Sequence, residues 1–230
     1  MADELDLNFK IDLGNFSDIE INIDFNADES ERYCKPAMSR SKNVKFKNAQ
    51  KLSKEIQIKK NERYFCIIDG SFIFGDFIEA FLIDRNIKTK EVTISTLSMS
   101  QENIDSFYNL MKNGYIEKLN IIVSDFFYSH ERHNLVKYMY ELLDFEDRFQ
   151  LSVCRTHTKI CLIETELDGG RKYIMHGSAN LRSSDNIEQF MIEENEELFD
   201  FNKSFHDKII ENFATVKKSL RGEKLFNLIQ

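Results

Sequence analysis

From Arg63 onward the chain alternates short apolar runs with stretches of helical period, and that rhythm restricts it to layered α/β folds. The runs at 64–69 (YFCIID), 91–97 (EVTISTL) and 119–124 (LNIIVS) have the length and β-branched content of buried strands. Helices are predicted between them. One covers 74–85. Another is capped by Ser100, runs to Lys112 and is stopped by Asn113-Gly114. A third covers 133–143. Residues 149–165 and 171–176 read as two neighbouring strands joined at Asp168-Gly169-Gly170. A strand at 188–192 and a helix at 203–220 close the chain. The expected fold is α/β, a mixed central sheet flanked by helices on both faces, with a small N-terminal extension.

With 230 residues, 42% of them hydrophobic, the chain can bury one core of ordinary size. Three parts are expected: an acidic, flexible or strand-adding segment at 1–34, a basic arm or linker with a short helix (48–58) at 35–62, and the main domain at 63–230. Charge marks the first two. Residues 1–32 carry ten acidic and two basic side chains, residues 35–63 ten basic and two acidic. The net charge of −8 argues against indiscriminate coating of nucleic acid, whereas the basic block could still touch a phosphate backbone through Arg40, Lys42, Lys45, Lys47 and Lys51.

No run approaches the roughly 18 apolar residues of a membrane span, and the opening MADELDLNFK is acidic where a signal peptide is basic and then apolar. A cytoplasmic protein without membrane contact is expected. Cys34, Cys66, Cys154 and Cys161 lack metal or redox spacing and read as reduced thiols. His130 and His133 lack a nearby third ligand, so no metal site is expected.

Chemistry concentrates in the last third. His157 and Lys159 lie two apart on a predicted strand, which puts an imidazole beside an ammonium. Further on, Gly177 ends a strand, Ser178 supplies a hydroxyl and Asn180 an amide. These parts suit an oxyanion held before a nucleophile. Neighbouring features read more plainly: His176 as a packed or surface histidine, Asp69-Gly70-Ser71 as a turn, Phe126, Phe127 and Tyr128 as a strand end that could line a cleft, and 193–200 as a solvated acidic loop.

The order of these residues resembles the phospholipase D superfamily, whose mark is H-x-K-x4-D on one strand and G-S-x-N at the end of the next. Here it is His157-Thr158-Lys159, Glu164 in place of the aspartate, then Gly177-Ser178-Ala179-Asn180, with Glu188 where many members carry an acid. The match spans about 149–192. Two departures are the longer Glu164 side chain and the longer connection to Gly177.

The resemblance implies a phosphodiesterase that needs no metal or other cofactor. His157 would attack phosphorus, Lys159, Asn180 and Ser178 would hold oxygens, and Glu188 would orient the imidazole. Glu164 and Gly177 would support the site. With one motif per chain, a homodimer is expected to supply the second histidine. Single-motif members are mostly nucleases, so nucleic acid is the expected substrate. The alternatives are a catalytically degenerate member that binds nucleic acid or serves assembly, and a phospholipase.

Overall fold

The structure is a computed structural model and describes residues 41–46 (backbone only), 48–166, 170–182 and 186–213. The chain divides into units 1–33 and 34–230, and every described residue belongs to the second.

Eight strands, β1 (Ser41–Phe46), β2 (Arg63–Ile68), β3 (Thr89–Thr96), β4 (Ile116–Ser124), β5 (Phe149–Cys154), β6 (Ile160–Thr165), β7 (Lys172–Gly177) and β8 (Glu188–Glu194), form one sheet. Their order is β1-β2-β8-β7-β6-β3-β4-β5. β1–β2, β3–β4 and β4–β5 are parallel, and the four pairs between β2 and β3 are antiparallel, so the sheet is mixed as expected.

Helices cover both faces. On one lie α1 (Ala49–Glu55), α2 (Phe74–Asp84), α3 (Gln101–Lys112) and α5 (Leu135–Leu143). α2 shows why: Phe74, Phe77, Ile78, Phe81 and Leu82 recur at helical spacing and make one apolar stripe, all buried. The strands answer by alternation. Leu119, Ile121 and Val123 of β4, Cys161 and Ile163 of β6, and Tyr173 and Met175 of β7 join that core. The intervening residues face α6 (Glu196–Phe213), which packs across β5, β6 and β7. There Leu162 and Ile174 meet Phe199, and Ile122 and Cys154 meet Ile209.

Several local readings hold, though the short helix expected at 48–58 ends at Glu55. Asn48 caps α1 by accepting from Lys51 N, and Ser100 caps α3 in a reciprocal box with Asn103. α3 ends where Gly114 turns left-handed (φ 70°), with Tyr115 N donating to Leu110 O and Gly114 N to Met111 O. Gly70 (φ 82°) makes the turn that Asp69 closes by accepting from Ser71 N.

Others are corrected. Residues 149–165 are two strands, not one. β5 lies at the sheet edge and β6 between β7 and β3, with 155–159 crossing between them. His157 and Lys159 sit on that crossing rather than on a strand, because β6 starts at Ile160. The turn at Asp168-Gly169 lies outside the described residues. Phe126, Phe127 and Tyr128 belong to a helix, α4 (Asp125–Glu131), capped by Ser124.

The basic block was read as an arm or linker, but its described part is built in: β1 extends the sheet and α1 packs on α2. The expected acidic loop at 193–200 is instead the end of β8 and the start of α6. Its Glu193 is only 1% exposed and makes a bidentate pair with Arg63 (3.0 and 3.1 Å). Burial alone would raise the Glu193 carboxyl, yet bonds from His176, Arg63 and Asn195 outweigh it and bring it down to about 2.

Among the described residues, Cys66, Cys154 and Cys161 are free and buried. Burial pushes the Cys66 thiol up to about 12 and Cys154 to about 11, where both stay protonated and inert. No described helix is long and apolar enough to cross a membrane.

Candidate active site

His157, Lys159, Gly177, Ser178 and Glu188 converge at one end of the sheet, where the crossing 155–159 meets the end of β7 and the start of β8. Backbone bonds set the approach. Gly177 N donates to Lys159 O (3.2 Å), and Ser178 N donates to Gln189 O (2.9 Å). This lays the His-x-Lys segment directly against Gly-Ser-x-Asn. Gly177 is required for the packing: a Cβ there would lie 2.2 Å from Gln189 O and 2.6 Å from Phe190 Cα, both backbone atoms that cannot yield.

Alternation governs which way the side chains face. Lys159 lies two residues before Cys161 and falls on the helix-rich side, above the gap left by Gly177. Its Nζ stands 3.3 Å from His157 Nδ1 and donates to His157 O at 3.0 Å. An ammonium can only donate, so the imidazole offers its Nδ1 lone pair and, when neutral, carries its proton on Nε2. Lys159 is 9% exposed. Burial lowers its pKa and nearby Glu188 pushes the other way.

Across the pocket, Ser178 Oγ donates to Glu188 Oε2 and accepts from Gln189 N at 3.1 Å. Glu188 was expected to hold the imidazole; here its bond is to Ser178, and its link to the basic pair is electrostatic, through Lys159. Asn180 Oδ1 is buried without a hydrogen-bond partner. His157 and Ser178 are exposed and Asn180 is partly exposed.

Glu164 lies elsewhere. It is five residues along β6 from Lys159, about 17 Å, and pairs with Lys90 (3.6 Å) on the face toward α6. Its extra methylene therefore does not enter the pocket. His176 also faces α6 and meets Glu193 (3.5 Å) rather than the pocket. Among the basic residues, Lys51 is exposed on α1. Lys42 and Lys45 lie on β1, whose backbone alone is described, and Arg40 and Lys47 lie outside the described residues.

Three hydroxyls that the sequence reading passed over underlie the crossing. Ser95 Oγ at the end of β3 lies 2.5 Å from Thr158 Oγ1 and 3.4 Å from Thr156 Oγ1, and the two threonine hydroxyls are 2.8 Å apart. The available signal was the alternation Thr156-His157-Thr158-Lys159, which puts the threonines on the side opposite the basic pair.

No family model and no curated protein sequence matches the chain. Among solved structures, polyphosphate kinase from Porphyromonas gingivalis is similar over 70% of this chain and 27% of its own, with a TM-score of 0.51 and 11% identity. Phosphatidylserine synthase of Haemophilus influenzae is similar over 73% of this chain and 44% of its own, with a TM-score of 0.45 and 14% identity. The chain thus spans about a quarter of the first protein and less than half of the second. At 11% identity the likeness to the first is one of fold.

Proposed function

We propose that this chain, whose fold is phospholipase D-like, is a phosphodiesterase in which His157 is the nucleophile and nucleic acid the substrate. The observation that carries the reading is that His157 with Lys159 and Ser178 with Glu188 are brought side by side by the bond from Gly177 N to Lys159 O, with Asn180 two residues beyond Ser178.

The geometry suggests how an anion would arm it. A phosphate oxygen is a stronger acceptor for the Lys159 ammonium than a neutral imidazole, so substrate draws Nζ from His157 Nδ1. Nδ1 can then carry the ring proton and Nε2 becomes the free lone pair. Nε2 attacks phosphorus, an N–P bond forms, and the P–O ester bond breaks in line with it. The departing alkoxide takes a proton from His157 of a second copy, which is why the working form is a homodimer. Water then attacks the phosphohistidine, gives its proton back to that second histidine, and the N–P electron pair returns to Nε2.

Lys159 stabilises the charge that grows on the non-bridging oxygens. Asn180 helps once its amide turns so that Nδ2 occupies the unpartnered position. The pairing with Ser178 holds Glu188 near Lys159, leaving a carboxylate for the imidazole proton when the ammonium moves.

Nucleic acid is favoured by the placement of the basic block. β1 runs parallel to β2 and ends at the pocket's end of the sheet, three strands or about 14 Å from β7.

The test is cleavage of plasmid and oligonucleotide in EDTA by wild type and by His157→Ala. Wild type is expected to cut, with His157→Ala reduced at least about 10⁴-fold. Cleavage that survives the substitution, or that EDTA abolishes, overturns the mechanism. DNA binding by a purified dimer that never cuts would instead favour the degenerate reading.

A further inference from the structure

The strand order poses a mechanical problem for the segment that carries the reactive pair. β5 and β6 are consecutive in sequence but separated in the sheet by β4 and β3. The crossing must span three interstrand spacings, about 14 Å, and six Cα steps from Cys154 to Ile160 reach at most about 22 Å. It passes over the ends of β4 and β3, outside the ladder. Its ends are tied by backbone bonds, Thr156 N to Cys154 O (2.8 Å) and Gly177 N to Lys159 O (3.2 Å). The middle, with His157, needs another anchor.

That anchor is the hydroxyl trio. Ser95 is 1% exposed, and its backbone is held in the ladder opposite Ile160. Its hydroxyl meets Thr158 at 2.5 Å, Thr158 meets Thr156 at 2.8 Å, and Thr158 N donates to Thr156 Oγ1 at 3.2 Å. The threonine hydroxyls contact each other and Ser95 while the Lys159 ammonium contacts the His157 ring, so tethering 156 and 158 fixes where 157 and 159 can face.

We propose that Ser95 is a positioning residue of the site: through Thr158 and Thr156 it sets the height and facing of His157 and Lys159. The proposal rests on the phosphodiesterase reading for its kinetic consequence and on the hydroxyl geometry alone for its structural one, and the experiment separates the two. Thr158 is exposed, so Thr158→Val exchanges a hydroxyl for a methyl with little effect on packing, while Thr158→Ser keeps the hydroxyl. Ser95→Ala removes the other partner.

Three quantities are read: kcat and KM on a phosphodiester in EDTA, the rate of tryptic cleavage after exposed Arg155 in the native protein, and the urea midpoint. In Thr158→Val and Ser95→Ala, kcat is expected to fall about tenfold to a hundredfold with KM within about twofold. Cleavage after Arg155 should accelerate several-fold, on the order of the loss of one anchoring bond. Thr158→Ser should follow wild type in all three.

The proposal is overturned if Thr158→Val matches Thr158→Ser in both kcat and cleavage rate. A rise in KM at constant kcat overturns it too, since Thr158 would then be a substrate contact. If the valine and alanine variants simply unfold, the midpoint shows it, and failure of Thr158→Ser to restore cleavage resistance counts against the tether. Should wild type show no phosphodiesterase activity, the functional reading falls, and tryptic cleavage alone decides whether the tether exists.

Discussion

The two faces of the sheet differ in kind. Toward α1, α2, α3 and α5 the sheet is filled with apolar side chains, and the phenylalanines of α2 reach Phe190, with the Phe77 and Phe190 rings 4.7 Å apart. Toward α6 the same strands present Glu91, Thr93, Ser95, Asn120, Ser152 and Glu193, all but Glu91 fully buried. Glu91 is held by Lys118 (3.0 Å) and Lys203 (2.9 Å), and Glu193 by Arg63. An apolar face is non-directional and tolerates sliding; a polar one is satisfied in only one arrangement. The first face supplies folding free energy. The second fixes positions, and it is the face from which Ser95 reaches the His157 crossing.

The comparison breaks if truncation on the apolar face is cheap. Phe77 is fully buried between Phe81 and Phe190, so Phe77→Ala is expected to cost about 4 kcal/mol in urea unfolding. On the other face, Arg63→Met leaves the Glu193 carboxylate buried with only His176 and Asn195 as partners. The expected loss at neutral pH is about 3 kcal/mol.

pH then sharpens the contrast. The folded Glu193 carboxyl lies near 2, below its ordinary 4.5, so its stabilisation is present above 4.5 and lost as pH falls toward 2. The penalty of Arg63→Met should therefore shrink on acidification, whereas that of Phe77→Ala should not. A penalty independent of pH in both variants would show that charge is not what distinguishes the faces.

The same division decides what the sequence could reveal. The apolar face writes itself into local pattern, and α2 and α3 were legible with their caps because period and capping are short-range. The polar face was not. Glu193 sat in an acidic run that looked solvated, and its partner Arg63 is 130 residues away. Ser95 and Thr158 are 63 residues apart.

Residues 149–165 read as one strand because Thr156-His157-Thr158-Lys159 keeps a strand's alternation through the crossing. Only pairing with β4 on one side and β7 on the other separates β5 from β6. The candidate site could be named for a different reason, since His157, Lys159, Ser178, Asn180 and Glu188 lie within one short stretch of chain whose order carries the resemblance. What that order could not show is that Glu188 bonds Ser178 while Lys159 caps the imidazole.

The smallest expected effect lies in the contact of α6 with the polar face. His206 is 1% exposed, its Nδ1 donates to Asn202 O at 2.6 Å, and its Nε2 is buried without a hydrogen-bond partner, as are Asn120 Oδ1 and Ser152 Oγ. Burial lowers its pKa, the Asn202 carbonyl and Asp207 push it up, and Lys203 pushes it down.

The folded state therefore binds its proton less readily than the unfolded chain. Stability is unaffected well above the ordinary imidazole value of 6.5 and declines as pH falls below it, until the folded pKa is passed. His206→Asn removes the titration and keeps the helix bond, because Asn Nδ2 takes the place of Nδ1. Asn202 and Asn212 already make that bond to Leu198 O and Lys208 O in the same helix. The urea midpoints of wild type and His206→Asn, measured from pH 8 to pH 5, should converge as pH falls. Parallel curves would mean that His206 does not titrate against folding.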